Sequence, residues 1–349
     1  MSAHPLTVAV YSLELVRYAC ARVRFLDPAR ALGGRLRLLW GAKSDGRNYA
    51  LDPGVMDEAD VVAFQRSFPM RETWPLVERA LSSGKPVVYD VDDHFEALGD
   101  DHPLACRLAP IIPYCRELAR CARAVCVSTP ELARAFPFAK GRVEVAPNLI
   151  DEGLFTAPRR VRDDPSRPVR IVYAGSPTHM ADLDMIAPAL VRIVERFGDA
   201  VELLFFGCAP REPVLAARSR QLDFFDDYTA YARKLVELAP DIGLAPLRDT
   251  PFNRAKSNIK ALEYGALGVA GVYSDLPPYQ NPDGGPGAFG PLVGPDPGLW
   301  EKTIARLVTD AKLRGKVAAR ARGLAVADYG LSRHAQIYLD FYAGVARGR

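Results

Sequence analysis

Lys256, Lys260 and Glu263 are the residues of this chain whose types and spacing best suit chemistry. They lie in the run Lys256-Ser257-Asn258-Ile259-Lys260-Ala261-Leu262-Glu263-Tyr264-Gly265-Ala266-Leu267-Gly268, which reads as a helix. On a 3.6-residue period the three fall within roughly 60° of one another. Two ammonium groups and a carboxylate then share one face of an otherwise apolar helix. Glu263 stands between Leu262 and Tyr264, and a buried carboxylate needs a partner or a ligand. Cations do not help a helix start, where the dipole already favours anions. Ser257 and Asn258 carry capping side chains, and free N–H groups at such a terminus bind phosphate. Glu263 lies two turns on, roughly 10 Å along the axis, and carboxylates accept hydrogen bonds from adjacent hydroxyls. A diphosphate with a hydroxylated sugar fits this pattern; an internal salt bridge from Lys256 or Lys260 to Glu263 is the structural alternative.

Further polar groups fall at expected strand ends. The run 169–174 is followed by Gly175-Ser176-Pro177-Thr178-His179. Gly175 permits close backbone approach, Ser176 and Thr178 offer hydroxyls, and His179 suits either a phosphate contact or a structural hydrogen bond. Arg248 follows another strand and can reach a phosphate or pair with Asp249. In the first half, Tyr89-Asp90-Val91-Asp92-Asp93-His94-Phe95 follows a strand. Asp92, Asp93 and His94 would suit a divalent metal, a general base or acceptor-hydroxyl clamp, or a network tying the sheet end together. Asn148 ends the last strand of that half.

The elements that must position these groups alternate. Short apolar runs at 6–11, 35–40, 61–64, 86–89, 124–127 and 143–146 read as strands, with helices at 14–32, 71–82 and 112–123. Continuous apolar runs separated by helices indicate a parallel sheet covered on both faces. Residues 151–168 change character, with Pro158, Pro165 and Pro168 among Arg159, Arg160 and Arg162, and read as a linker. The pattern restarts with strands at 169–174, 201–206, 242–245, 269–273 and 290–293, and helices at 182–197 and 228–238. Three helices, 299–308, 311–327 and 331–345, close the chain. The expected organisation is a first domain at 1–150, the linker 151–168, a second domain at 169–330 and a returning helix at 331–349. Ligands of open α/β sheets bind outside the carboxyl ends of the strands.

Bulk properties narrow the partners. A chain of 349 residues is long for one core. Lys+Arg of 45 against Asp+Glu of 42 leaves +3, no electrostatic footprint for nucleic acid. Arg22, Arg24, Arg30, Arg35 and Arg37 cluster locally and read as a solvated surface or as a face for acidic lipid or a phosphorylated acceptor. The six cysteines form no CxxC pair, which argues against a structural zinc site. No stretch approaches 18 apolar residues and Met1 to Pro5 carry no leader pattern. The expectation is a cytoplasmic protein, with peripheral attachment to the inner face of a membrane left open.

Taken together, these residues resemble the bacterial glycosyltransferases of the GT-B fold, close to family 4 and its group 1 relatives. The run Glu263-Tyr264-Gly265-Ala266-Leu267-Gly268-Val269-Ala270-Gly271-Val272, the paired Lys256 and Lys260, Gly175 at a strand end and the loop Ser274-Asp275-Leu276-Pro277-Pro278-Tyr279 carry the likeness. The resemblance implies an α/β fold of two Rossmann-like domains facing across a cleft, with a C-terminal helix packing back on the first. It implies a nucleoside-diphosphate sugar as donor, bound by Gly175, Ser176, Arg248, Lys256, Ser257, Asn258, Lys260 and Glu263, with Glu263 on the ribose. It implies no cofactor or catalytic metal, retention of anomeric configuration, and a hydroxyl acceptor such as a polysaccharide or lipid-linked glycan of the cell envelope. Asp92, Asp93, His94, His179 and Lys256 are the expected catalytic group. Ala255 stands eight positions before Glu263 where many relatives carry a second glutamate, and the usual basic pair after Gly175 is absent. A nucleotide-sugar epimerase of the same architecture and a degenerate, non-catalytic relative are the alternatives. No G-x-G-x-x-G follows either initial strand, which argues against a dehydrogenase.

Overall fold

The computed structural model describes residues 4–44, 48–156, 167–280 and 289–348. The central part of the expected linker, 157–166, lies outside the described residues. The chain divides into two compact units. One comprises Met1–Leu149, Thr250–Ser257 and Leu331–Arg349; the other comprises Ile150–Asp249 and Asn258–Gly330.

The first unit holds strands β1 (Leu6–Tyr11), β2 (Leu36–Trp40), β3 (Ala42–Ser44), β4 (Tyr49–Leu51), β5 (Val61–Gln65), β6 (Val87–Val91), β7 (Ala124–Val127) and β8 (Arg142–Val145). Six of them form a parallel sheet in the order β2-β1-β5-β6-β7-β8; β3 and β4 pair as a separate antiparallel hairpin. Alternation along β1 divides its side chains between two cores. Ala9 and Tyr11 pack with Val62, Phe64 and Phe68, whereas Val8 and Val10 pack with Tyr338, Phe341, Tyr342 and Val345. The last four come from the helix Gln336–Ala346, so the C-terminal helix is part of this core. Burying four such side chains contributes roughly 1.5–3 kcal/mol each.

The second unit holds β9 (Val169–Ala174), β10 (Val201–Phe206), β11 (Ser219–Leu222), β12 (Ile242–Ala245), β13 (Ala270–Ser274) and β14 (Leu292–Val293). These form a parallel sheet in the order β11-β10-β9-β12-β13-β14. Its strand order reverses between β9 and β12; that of the first sheet reverses between β1 and β5. Helices Met180–Phe197 and Pro297–Thr309 cover one face of the second sheet through Leu183, Ile186, Leu190, Trp300 and Ile304. Among the described residues no helix is long and apolar enough to cross a membrane.

Several local expectations are revised. The helix expected from Lys256 begins at Ile259; Thr250–Ser257 instead holds a separate turn of helix, Pro251–Arg254, capped by the Thr250 hydroxyl. The helix expected over 14–32 is reduced to Ala19–Ala21, a wide turn Arg22–Leu26 and Asp27–Ala31. Pro28 has no N–H for the carbonyl of Arg24, and the widened turn precedes it. The arginines of this segment do not form one surface: Arg24 is fully buried and Arg22 pairs with Asp27 at 2.7 Å. Asp90, expected beyond its strand, lies within β6.

Candidate functional site

In the second unit, helix Ile259–Leu267 is buried from Ala261 to Leu267. Gly268 ends it in the left-handed region, at φ 67°. The Val269 N–H reaches the Tyr264 carbonyl at 2.8 Å and the Gly268 N–H reaches Gly265 at 2.7 Å, the paired bonds of a Schellman cap. Arg322 donates to the Ala266 carbonyl at 2.9 Å. At the other end Asn258 makes no side-chain capping bond.

This rigid helix presents Glu263, 1% exposed, to three donors. Tyr228 donates to Oε1 at 3.1 Å, while Tyr231 and the Lys260 ammonium donate to Oε2 at 2.8 and 2.7 Å. Lys260 also donates to the Tyr231 hydroxyl at 2.9 Å and lies 4.7 Å from its ring centroid. Burial, then the Glu263 charge, pushes the Tyr231 phenol well above its ordinary range. The carboxylate is thus already engaged by three donors. The two tyrosines were not singled out by sequence reading. Their spacing of three on helix Tyr228–Leu238 is the signal that could have found them.

The ends of β9, β10 and β12 bring together a second set. Gly175 donates to the Phe206 carbonyl at 3.0 Å. Gly207, at φ +88°, lies so close that a Cβ there would stand 2.5 Å from the Gly175 carbonyl oxygen. The hydroxyls of Ser176 and Thr178 are 2.6 Å apart, on the turn that opens helix Met180–Phe197. Asp182, in the first turn of that helix and 5% exposed, contacts His179 Nδ1 at 2.7 Å through one oxygen. Through the other it accepts the Arg248 N–H at 2.8 Å. An ionised carboxylate is acceptor-only, which assigns the proton to Nδ1 of His179. Asp182 therefore joins the loops after β9 and β12, where the strand order reverses, by holding His179 and the Arg248 backbone together; Gly175 and Ser176 lie on the same loop as His179. Sequence reading had named those four but not Asp182.

In the first unit, Asp92 and Asp93 follow β6 and meet Arg66, the residue after β5. Arg66 Nη1 donates to Asp92 and, at 3.0 Å, to Asp93 Oδ2. Its Nε lies 3.3 Å from Glu14, and its guanidinium stacks 5.0 Å from the Phe95 ring centroid. The Lys256 ammonium reaches the other oxygen of Asp93 at 3.4 Å and lies 4.4 Å from the Phe252 centroid. Lys256 thus pairs with Asp93, apart from the Lys260–Glu263 pair. His94 is half-buried beside this group, and burial lowers its pKa. Among the described residues no group of three or more His, Cys, Asp and Glu is arranged to hold a metal ion.

Beneath the sheet ends, Arg24 forms a two-bond fork with Asp90, at 3.2 and 2.8 Å. It also donates to Asn148 at 3.2 Å and Tyr338 at 3.0 Å. Asn148 in turn donates to the Ser257 hydroxyl at 2.9 Å. Buried Asp90 and Asn148 and half-buried Ser257 are therefore members of one hydrogen-bonded network in this unit.

No protein-family model matches the sequence, and no curated protein matches it. Solved structures do. Sucrose-phosphate synthase (tll1590) from Thermosynechococcus elongatus superposes with a TM-score of 0.69 at 13% identity, over 97% of this chain and 99% of that one. Anabaena Alr3699/HepE, in complex with UDP and glucose, gives 0.69 at 14% identity, over 97% and 100%. The trehalose-6-phosphate synthase OtsA gives 0.64 at 11% identity, over 97% and 99%. These neighbours are GT-B glycosyltransferases. The likeness extends over nearly the whole chain and establishes the fold: two α/β domains, each on a mostly parallel six-stranded sheet.

Proposed function

We propose that this chain transfers a sugar from a nucleoside-diphosphate sugar to a hydroxyl acceptor. The observation that carries the reading is the arrangement at the strand-order reversal of the second sheet. A glycine-ended strand, two hydroxyls 2.6 Å apart and the start of a long helix converge there with the Arg248 loop through Asp182. Such a place suits an anion, because helix N-termini offer unpaired N–H groups and a favourable dipole. Gly175, Ser176, Arg248 and the start of helix Ile259–Leu267, with Asn258 and Lys260, would hold the diphosphate. Glu263 would take the ribose hydroxyls by exchange with the tyrosines, and His179, oriented by Asp182, would face the departing oxygen. The UDP held by a neighbour of the same fold supports a nucleoside diphosphate as the ligand class.

In the reaction the acceptor oxygen bonds to the anomeric carbon, and the bond from that carbon to the β-phosphate oxygen breaks. The acceptor's proton passes to an oxygen of the departing diphosphate, on the same face, so configuration is retained. Electrostatic stabilisation of the leaving diphosphate is the main catalytic effect. Asp92 and Asp93 hold the acceptor's other hydroxyls, and Lys256 belongs with them through Asp93.

The test is a thermal-shift screen with UDP, GDP, ADP and dTDP and their glucose esters. At a hundred times its Kd a ligand adds about 2.7 kcal/mol, a rise of roughly 5–10 °C for a unit of this size. A selective rise with one base is expected. No rise with any member of the set would overturn the donor assignment.

A further inference from the structure

We infer that Arg66 is the positioning residue of the acceptor-binding carboxylates, selecting uncharged hydroxyl groups; this rests on the transferase reading above. Arg66 occupies an unusual backbone state. It lies at φ 52°, a left-handed conformation that non-glycine residues adopt rarely and at a cost. Its neighbours hold it there: the Arg66 N–H donates to the Asp90 carbonyl at 2.8 Å, and the Tyr89 hydroxyl donates to the Arg66 carbonyl at 2.9 Å. The conformation aims a side chain only 12% exposed at three carboxylates from two different segments. They are Glu14 after β1, and Asp92 and Asp93 after β6. The place is the strand-order reversal between β1 and β5, where open α/β sheets bind ligands.

The charge arrangement defines what can bind. Arg66 and Lys256 hold opposite oxygens of Asp93, so both cations are already paired with carboxylates. What the group offers outward is carboxylate lone pairs, which accept hydrogen bonds from hydroxyls. A phosphorylated acceptor would meet those same carboxylates. The guanidinium is planar and forked, so Nη1 holds Asp92 and Asp93 while Nε faces Glu14; the single ammonium of a lysine in its place could not keep all three carboxylates in that geometry. The effect of Arg66 is therefore on where the two carboxylates stand, and only through them on the acceptor.

The test separates transfer from donor hydrolysis, in which water replaces the acceptor. Wild type, Arg66→Ala and Arg66→Lys are compared for UDP release from UDP-glucose alone and for glucosyl transfer to glucose, N-acetylglucosamine, glycerol and glucose 6-phosphate. Arg66→Gly, which relieves the backbone conformation, is assayed with and without added guanidinium ion. The expected result is a loss of transfer of about 100-fold in Arg66→Ala. Hydrolysis and calorimetric UDP affinity should stay within about threefold, Arg66→Lys should recover transfer only in part, and guanidinium should rescue Arg66→Gly. In wild type the uncharged acceptors should outcompete glucose 6-phosphate. Equal loss of hydrolysis and transfer would make Arg66 merely structural and overturn the inference. So would wild-type preference for glucose 6-phosphate, or hydrolysis with no transfer to any uncharged acceptor; both leave the donor reading standing. A wild-type chain that neither binds UDP or another nucleoside diphosphate nor turns over any donor removes the transferase reading itself.

Discussion

Replacing Glu263 tests the internal logic of the second unit. In Glu263→Ala the Tyr228 hydroxyl, the Tyr231 hydroxyl and the Lys260 ammonium each lose an acceptor at 3.1, 2.8 and 2.7 Å. A hydrogen bond to a charged group contributes about 1.5–3 kcal/mol, and a buried polar group left unpaired costs a similar amount. Lys260, a quarter exposed, can turn its ammonium toward water, which discounts its share. The total is about 3–5 kcal/mol, or roughly 6–20 °C in the transition of this unit. Lys260→Ala should cost less, about 1–2 kcal/mol. The double variant should recover about 1–2 kcal/mol of the summed losses, since the two residues share one network. Trp300 is buried in this unit's core, so a Trp40→Phe, Trp74→Phe background lets urea unfolding by tryptophan fluorescence report the second unit alone. A cost below about 1 kcal/mol for Glu263→Ala, or strict additivity with Lys260→Ala, would refute the account of a carboxylate held by three donors. Full stability with lost nucleotide affinity would show that the ribose, not the tyrosines, is its principal partner.

Other outcomes are equally specific. Burial holds the folded-state pKa of His94 below its ordinary 6.5. Its contribution is therefore present above the unfolded value and lost as pH falls from 6.5 through the lowered one. Melting curves at pH 7.5 and 5.5 should show a smaller acid loss in His94→Gln; an identical loss in both proteins would contradict this. Mass mapping with iodoacetamide should label exposed Cys106 and Cys121 before buried Cys115, Cys126 and Cys208, because burial pushes Cys115 and Cys208 to about 11. Early labelling of Cys115 would refute the packing around it. Gly207→Ala places a Cβ 2.5 Å from the Gly175 carbonyl at φ +88°, so the strand ends must separate. A loss of about 2–3 kcal/mol by Trp300 fluorescence is expected, and an unchanged midpoint would show that the two backbones are not in contact.

The second half of the chain was readable where burial is two-sided. Runs 169–174, 201–206 and 242–245 became β9, β10 and β12 with unchanged bounds, because covered parallel strands are mostly apolar; the exceptions, Arg170 and Glu202, pair with each other on the neighbouring strands β9 and β10. Strand β11, Ser219-Arg220-Gln221-Leu222, was missed. It is an edge strand with polar, partly exposed residues, and no hydrophobic period marks it. Within the candidate site, single residues were legible but partners were not. Nothing in the order of residues says that Arg66 meets Glu14 and Asp93, which are far from it in sequence. Arg24, read as one of a basic surface group, is fully buried because Asp90 and Asn148 await it there. The three-residue offset between Lys260 and Glu263 was legible from helical period alone.

The first sheet draws its covering helix from Leu331 onward, and this has a consequence for synthesis. A ribosome making about 5–20 residues per second finishes β8 and then spends roughly ten seconds or longer on residues of the other unit. Throughout that interval Val8, Val10 and Phe25 lack the side chains that later seal them. The N-terminal sheet must therefore mature last although it is translated first, and the nascent chain has a defined window in which a chaperone would find an uncovered apolar face.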